Sequence, residues 1–278
     1  MKKVLVTGAT GFVGSNLCRK LLKKKIEIAI IVRKNSNFDN IQDIKDKLNI
    51  YVYNDINCLI KFLKQFKPEL IFHLASLFIS EHNTDQVENL INSNLLFGTQ
   101  LLEAMKETNI KKLINTGTSW QHYKNKGYDP VNLYAATKEA FEKIVEYYVN
   151  AENFSCITLK LFDTYGENDK RPKIMNLLKK IAETGEELNM SPGGQMIDIS
   201  HVDNIIDSFI RYGNLLTQGN FRNKHTKFAL KSNNRMTLKE LVAKFEKKNN
   251  VKLNINWGRR PYRKREVMEL WDGEQTLP

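Results

Sequence analysis

The chain has 278 residues, of which 41% are hydrophobic and 27% are charged, and its formal net charge is +12. This length suits one large domain or two small ones, and no apolar run approaches the roughly 20 residues that a membrane span needs. Most of the positive charge is dispersed lysine, which indicates solvated faces, so neither a nucleic acid nor a membrane is expected as a partner.

The first predicted elements surround a glycine-rich turn. The apolar run 4–6 predicts a strand, and residues 15–22 predict a helix. A turn in this context lets backbone N–H groups approach a pyrophosphate, and the helix N-terminus favours negative charge. The Gly-x-x-Gly-x-x-Gly spacing is one residue longer at its first gap than the common dinucleotide fingerprint. The predicted cofactor contacts are Gly8, Thr10, Gly11, Phe12, Val13 and Gly14.

Strand-like and helix-like segments alternate through the first half of the chain. The predicted strands are Lys3–Thr7, Ile26–Val32, Ile50–Tyr53, Leu70–Leu74, Lys112–Thr116 and Ser155–Leu161. The predicted helices lie near Gly11–Lys24, Ile56–Phe66, Val87–Thr108 and Tyr134–Val149. This alternation predicts an α/β fold, a doubly wound parallel sheet (Rossmann) with its ligand site at the carboxyl ends of the strands.

Regularity weakens after about residue 165, where prolines and glycines become frequent. We expect residues 1–165 to form an NADP-binding Rossmann domain, with 195–222 returning to it. Residues 166–194 and 223–278 are expected to form a smaller C-terminal substrate-binding lobe. The three cysteines lack metal-ligand spacing, so no metal is expected, and their sparse number suits a reducing, cytoplasmic setting.

The end of the second predicted strand indicates which dinucleotide is bound. A carboxylate at this position accepts from the ribose 2′-hydroxyl of NAD, whereas an Arg can meet the 2′-phosphate of NADP. The residues here are Val32, Arg33 and Lys34, with no carboxylate. This favours NADP(H) over NAD, the alternative being that Arg33 is only a solvated loop residue.

Two later strand ends are also placed to meet the cofactor. Asp55 and Ile56 are expected near the adenine, and Leu74 and Ala75 along the cofactor. The alternative is turn chemistry for Asp55 and core packing for His73.

A tyrosine and a lysine four residues apart predict a proton-transfer pair. Tyr134 and Lys138 share one face of a predicted helix. A neighbouring ammonium lowers the pKa of a phenol and lets it exchange a proton near neutral pH. Thr118 follows the fifth predicted strand, where a hydroxyl can hydrogen-bond a carbonyl or alkoxide.

In this order, the motifs resemble those of the extended short-chain dehydrogenase/reductase family, of the NAD-dependent epimerase/dehydratase type, in its nucleotide-sugar branch. The matching segments are TGATGFVG (7–14), HLAS (73–76), YAATK (134–138), LFDTYG (161–166) and QMIDISHVDN (195–204). The resemblance implies that Thr118, Tyr134 and Lys138 are catalytic and that Tyr134 and Lys138 also contact the cofactor. It implies a nucleotide-diphosphate sugar as substrate.

The chain departs from the family pattern at two positions. Asp163 stands where Asn is usual, and Ile197 replaces the Arg that commonly grips the phosphates of the sugar nucleotide. Arg260 and Arg171 remain as phosphate-binding candidates, and Ser119 and Asp163 complete the expected substrate contacts.

The branch includes 4-epimerases, 4,6-dehydratases, dehydrogenases and 4-keto reductases. The dehydratases carry an Asp-Glu pair after the catalytic Thr, where this chain has Ser119 and Trp120, so dehydration is excluded. The segments GTSWQHY and GRRPYRKREVM look most like those of CDP-abequose and CDP-paratose synthases. That resemblance implies NADPH-dependent reduction of the C4 keto group of a nucleotide-linked deoxyhexose, in deoxysugar and surface-polysaccharide (lipopolysaccharide) biosynthesis.

Two other functions stay open. One is a nucleotide-sugar 4-epimerase with tightly bound NAD, and the other is a catalytically silent nucleotide-binding module. In related enzymes the helices near Val87–Thr108 and Tyr134–Val149 pair subunits, so a homodimer is expected.

Overall fold

The computed structural model of the chain describes residues 1–232 and 234–273. Its strands are β1 (Lys3–Thr7), β2 (Glu27–Val32), β3 (Asn49–Val52), β4 (Leu70–His73), β5 (Lys112–Thr118), β6 (Ser155–Leu161), β7 (Asp163–Tyr165), β8 (Leu188–Met190), β9 (Met196–His201), β10 (His225–Leu230), β11 (Arg235–Thr237) and β12 (Ile255–Trp257). Its helices are α1 (Phe12–Lys23), α2 (Ile56–Phe66), α3 (Val87–Ile91), α4 (Phe97–Glu107), α5 (Leu133–Glu152), α6 (Ile174–Thr184), α7 (Val202–Thr217) and α8 (Leu238–Asn249). In the part of the chain that is described, none of these helices has the length and apolar character to cross a membrane.

Seven strands form one parallel sheet in the order β10-β6-β5-β4-β1-β2-β3. From β1 the chain adds β2 and β3 on one side and later adds the other four strands on the opposite side. The direction reverses between β1 and β4, and a doubly wound sheet binds its ligand outside the carboxyl ends at such a reversal. The predicted Rossmann fold is confirmed.

The six predicted strands are all present in this sheet, and each boundary lies within two residues of its expected position. The large sheet has a seventh strand, β10, which the sequence does not predict. Residues 223–278 were expected to belong wholly to the smaller lobe. That boundary is wrong for β10, which pairs with β6 from His225 opposite Cys156 to Leu230 opposite Leu161. As an edge strand it is only half-buried and lacks a continuous apolar run, so its sequence gives a weak strand signal.

The two faces of the sheet bury separate hydrophobic cores. Side chains alternate along a strand, so Val4 and Val6 of β1 face one core while Leu5 faces the other. The first core includes Leu17 of α1 and apolar side chains of α7, and these two helices pack against each other. The second core is covered by α2, α4 and α5. Helices on both faces hold the strand ends rigidly, which fixes the loops that follow them.

The smaller lobe contains α6, α8 and two short sheets, β11-β9-β7 and β12-β8. The expected bounds 1–165 and 195–222 of the Rossmann domain are therefore wrong for β7 and β9, whereas α7 does return to it. Its own core includes Leu178, Ile181, Leu241 and Phe245. The lobe lies over the carboxyl edge of the large sheet, since residues from both line one cavity there.

Candidate active site

The chain turns sharply between β1 and α1 at the carboxyl edge of the sheet. Gly8 has a φ of +71°, and a Cβ on it would lie 2.6 Å from the backbone nitrogen of Ala75. A Cβ on Gly14 would collide with the carbonyl oxygen of Gly8. The turn therefore needs glycine at both positions and fits tightly against the loop after β4.

The first turn of α1 offers backbone donors. Gly11 is the N-cap residue, and its N–H donates to Gly8 O at 3.0 Å. Among the described residues no side chain caps this terminus, and no acidic residue lies in the first turn. Uncapped N–H groups at a helix N-terminus carry partial positive charge, so the residues present fit a phosphate group of the expected cofactor.

Neighbouring loops hold the rest of the glycine turn. Asn40 Nδ2 donates to Thr10 O at 2.9 Å, which ties the turn to the segment after β2. The guanidinium carbon of Arg171 lies 4.4 Å from the centre of the Phe12 ring. Val13 lines a small cavity described below. These contacts bring Arg171 of the smaller lobe to the predicted cofactor site.

Arg33 follows β2 at the same edge. Its side chain is exposed, and its backbone N–H donates to Ser36 Oγ at 2.9 Å. The structure thus places a cation where the ribose of a dinucleotide is expected, and its reading of a 2′-phosphate stays a prediction.

Asp55 is the N-cap residue of α2. Its carboxylate accepts from the N–H of Cys58 at 2.9 Å, and this hydrogen bond lowers the pKa of Asp55. This contact agrees with the alternative that Asp55 serves the turn, because it caps the helix that begins at Ile56. Contact of Asp55 or Ile56 with an adenine remains a prediction.

The end of β4 is fixed by Thr7. Leu74 N–H donates to Thr7 O at 3.2 Å, and Ala75 N–H donates to Thr7 Oγ1 at 3.1 Å. The Thr7 hydroxyl also forms a hydrogen bond with His73 Nδ1, at 2.8 Å. Burial, together with Lys138, lowers the pKa of His73 to about 3. His73 is a neutral core residue, as the packing alternative held, and it sets the course of Leu74 and Ala75.

Thr118 and Tyr134 come together beside this edge. Asn132 caps α5 by accepting from Ala135 N–H at 2.9 Å, which begins the helix just before Tyr134. Thr118 ends β5, and its Oγ1 accepts from the N–H of Trp120 at 3.3 Å. Thr118 and Tyr134 line one cavity of 180 Å³, while Lys138 is only 2% exposed.

The pKa of Tyr134 is shifted upwards, whereas the sequence predicts a downward shift. Burial raises it to about 12, and a hydrogen bond from Ser76 opposes this rise. Burial also lowers the pKa of Lys138 to about 8. The predicted lowering of the Tyr134 pKa is therefore wrong for this structure, because loss of water on burial is the largest influence on this phenol. Tyr134 is held as a protonated phenol, which suits a proton donor.

A larger cavity of 680 Å³ adjoins the small one. Both are bordered by Phe78, Ser119, Trp120, Phe162, Asp163, Arg171 and Lys173. Trp271 also lines the larger cavity and stacks on His122, with ring centres 3.9 Å apart. The cavity joins aromatic walls to a few charged groups, which suits a ligand with an apolar ring face and phosphates.

Three of the four expected substrate residues border this cavity, namely Ser119, Asp163 and Arg171. Arg260 does not line it, contrary to expectation. Its side chain is exposed, and its backbone N–H donates to Met190 O at 3.2 Å. Arg263, three residues later, lines the cavity instead.

Arg263 and Lys173 line the cavity although the sequence did not indicate them. Arg263 pairs with Glu266 at 2.6 Å, and Lys173 pairs with Asp163 at 3.4 Å. The basic cluster 258–265 was the available signal for Arg263, although its spacing does not show which guanidinium faces inward. Lys173 had no such signal, because single lysines are frequent in this chain.

Ile197 occupies the position where related enzymes commonly have Arg. Its side chain is buried in the core of the smaller lobe and also borders the larger cavity. The change thus replaces a charged wall by an apolar one.

Comparison with known proteins identifies a family and several relatives. A family model described as the NAD dependent epimerase/dehydratase family matches residues 4–244. CDP-abequose synthase of Yersinia pseudotuberculosis is 27% identical over 96% of this chain and 90% of that protein. The Salmonella muenchen protein of the same name is 28% identical over 96% of this chain and 88% of its own.

A solved structure shows the same fold at low identity. UDP-glucuronic acid 4-epimerase from Bacillus cereus, in complex with UDP-glucuronic acid and NAD, superposes with a TM-score of 0.83. It is 23% identical, and the match covers 97% of this chain and 89% of that chain.

Proposed function

Since the chain belongs to the NAD dependent epimerase/dehydratase family, we propose that it reduces the C4 keto group of a nucleotide-linked deoxyhexose with NADPH. The observation that carries this proposal is one cavity that joins Thr118 and Tyr134 to the space beneath the smaller lobe. The CDP-abequose synthases, which match over nearly the whole chain, support a function in deoxysugar biosynthesis. We propose that its product is used in surface polysaccharides.

The cofactor is held at the glycine turn. Gly8, Gly11 and Gly14 with the N-terminus of α1 would bind its pyrophosphate, and Arg33 would meet the 2′-phosphate. Leu74 and Ala75 would also contact it. When bound, the cofactor supplies the hydride that becomes attached to C4.

Tyr134 supplies the proton for the C4 oxygen. Its pKa of about 12 keeps the phenol protonated at neutral pH. The Thr118 oxygen already accepts from Trp120 N–H, so its own hydrogen is left to donate to the same sugar oxygen. A preorganised donor of this kind contributes roughly 3–4 kcal/mol to transition-state stabilisation. Lys138 adds a positive charge and holds the cofactor ribose.

The diphosphate of the substrate meets cations of the smaller lobe. Arg171, Lys173 and Arg263 line the cavity, and arginine forks suit phosphate oxygens. Each cation already has an acidic neighbour, which holds its side chain in place before the ligand arrives. Ser119 and Asp163 contact the sugar.

Dehydration is not part of the proposal. Ser119 and Trp120 stand after Thr118, and neither side chain can protonate and deprotonate a sugar as a carboxylate pair does. Trp120 instead packs against Phe78, with ring centres 5.5 Å apart.

A second candidate is a nucleotide-sugar 4-epimerase that retains NAD. The Bacillus cereus epimerase structure contains NAD and shares this fold, which favours the alternative. Both functions use the same three side chains, so the fate of the cofactor separates them. A reductase is expected to consume NADPH with nucleotide-linked 4-keto sugars, whereas an epimerase is expected to interconvert 4-hydroxy sugars without added cofactor.

We also propose a cytoplasmic homodimer. Ile91 and Leu96, in and just after α3, are 38% and 49% exposed, and Tyr147 of α5 is 61% exposed. These apolar side chains lie on the helices expected to pair subunits. Light scattering at micromolar concentration is expected to give twice the chain mass of 32.3 kDa, and the chain mass itself would refute the dimer.

A further inference from the structure

A cluster of buried polar side chains lies between the strand that ends in Thr118 and the helix that carries Tyr134 and Lys138. Its members, all at most 9% exposed, are Gln121, His122, Glu139, Glu142 and Lys160. A Cβ on Gly117 would lie within 3.0 Å of Lys160, Glu142 and Gln121, so this cluster packs directly against the residue before Thr118.

Gln121 connects the two catalytic elements. Its Oε1 accepts from the backbone N–H of Thr118 at 2.9 Å. Its Nε2 donates to Glu139 Oε2 at 2.5 Å and to Glu142 Oε1 at 2.8 Å. Both carboxylates belong to α5, the helix of Tyr134 and Lys138. One side-chain amide therefore spans from the end of β5 to the catalytic helix.

Charges on neighbouring elements hold the carboxylates in place. Lys160 of β6 lies 3.4 Å from Glu142 and 3.9 Å from Glu139, and Lys227 of β10 lies 3.4 Å from Glu142. Lys160 Nζ also lies 2.7 Å from His122 Nε2. Glu142 Oε2 accepts no hydrogen bond among the described residues, so the two lysines meet it only as charges. The fixed element of the cluster is therefore Gln121, whose amide makes three direct hydrogen bonds.

We propose that Gln121 is a positioning residue, which holds Thr118 against α5 and so places the Thr118 hydroxyl beside the Tyr134 phenol. This inference rests on the proposed function, because it requires Thr118 and Tyr134 to act on one sugar oxygen. Within residues 1–232 and 234–273, this amide is the side chain that links the Thr118 backbone N–H to α5. A displacement of about 1 Å at a reacting group can cost on the order of a hundredfold in rate.

A double-mutant cycle on the full-length enzyme tests the inference. Gln121→Met keeps the length of the side chain and removes both its donor and its acceptor. We expect kcat to fall at least about tenfold, with KM values for sugar nucleotide and NADPH within about threefold of wild type. In a Thr118→Ala background, which keeps the backbone N–H, Gln121→Met is expected to lower kcat by less than about twofold.

A matched control lies away from this cluster, on α6. Lys180→Met breaks an exposed ion pair between Lys180 and Glu186, at 2.7 Å, and is expected to leave kcat unchanged. Thermal midpoints are measured for every variant. If Gln121→Met does not fold, Glu139→Gln replaces it, since this change weakens one of the two anchors on α5 and keeps the side-chain shape.

Three results would overturn the inference or the function on which it rests. A lower thermal midpoint with an unchanged kcat would show a merely structural role and overturn the inference. Additive losses in the Thr118→Ala background would overturn it too, because Gln121 would then act elsewhere than through Thr118. A wild-type enzyme that turns over no nucleotide sugar would overturn the proposed function first, before any variant is compared.

Discussion

The guanidinium carbon of Arg263 lies 5.2 Å from the centre of the Trp120 ring, and Glu266 pairs with the same guanidinium at 2.6 Å. This contact places a cation from the C-terminal segment beside the residue that follows Ser119 in the site. A charge held between an aromatic face and a carboxylate is preorganised for a phosphate group.

We predict that Arg263→Ala raises the KM for the sugar nucleotide about tenfold or more, since a charge-assisted hydrogen bond is worth about 1.5–3 kcal/mol. NADPH binding is expected to stay unchanged. Arg260→Ala is the matched control, because Arg260 is exposed and lies outside the cavity, and its KM is expected within about twofold of wild type. The reverse ranking of the two variants in steady-state kinetics would return the diphosphate to Arg260.

Tyr134→Phe is predicted to abolish turnover nearly completely. The change removes the proton donor but keeps the ring, which packs edge-on against Phe78 with centres 5.0 Å apart. Affinity for NADPH, measured by fluorescence titration, is expected within a few-fold of wild type. Turnover close to that of the wild type would remove Tyr134 from the mechanism.

The pH dependence of reduction follows from Lys138. Tyr134 stays protonated because its pKa is about 12, whereas Lys138, with a pKa of about 8, loses its charge as the pH rises. We predict that kcat/KM is level below pH 7 and declines above pH 8. In Lys138→Arg the charge persists, so this decline should disappear, whatever the absolute rate. A wild-type profile that stays level to pH 10 would show that the charge of Lys138 is not needed.

Cofactor choice is predicted to depend on Arg33. The wild type should prefer NADPH over NADH, and Arg33→Ala should narrow that preference mainly through the KM for NADPH. Arg222→Ala removes another exposed arginine, before β10, and should leave the preference unchanged. Equal activity of the wild type with both cofactors would show that Arg33 does not read the 2′-phosphate.

The sequence predicts best what depends on local pattern. The glycine turn, the first six strands and the Tyr134–Lys138 pair are all set by residues close together in the chain. Strand β10 was not predicted, because an edge strand is only partly buried and its sequence lacks a continuous apolar run. The choice between Arg260 and Arg263 depends on how the segment after β12 folds over the cavity, and that segment has no periodic pattern.

Gln121 shows the same limit more sharply. Its partners Glu139 and Glu142 lie 18 and 21 residues further along the chain, on α5. Lys160, which pairs with both glutamates, lies on β6. No local motif marks such a long-range network. The direction of the Tyr134 pKa likewise depends on burial by distant segments, which the spacing of Tyr134 and Lys138 does not show.

The most direct measurement is turnover of a panel of nucleotide-linked 4-keto deoxyhexoses with NADPH, with the product at C4 identified by NMR. We predict that one substrate is reduced to a single 4-hydroxy epimer, with one NADPH consumed for each molecule of product. Interconversion of 4-hydroxy epimers without net consumption of cofactor would contradict reduction and establish the epimerase alternative.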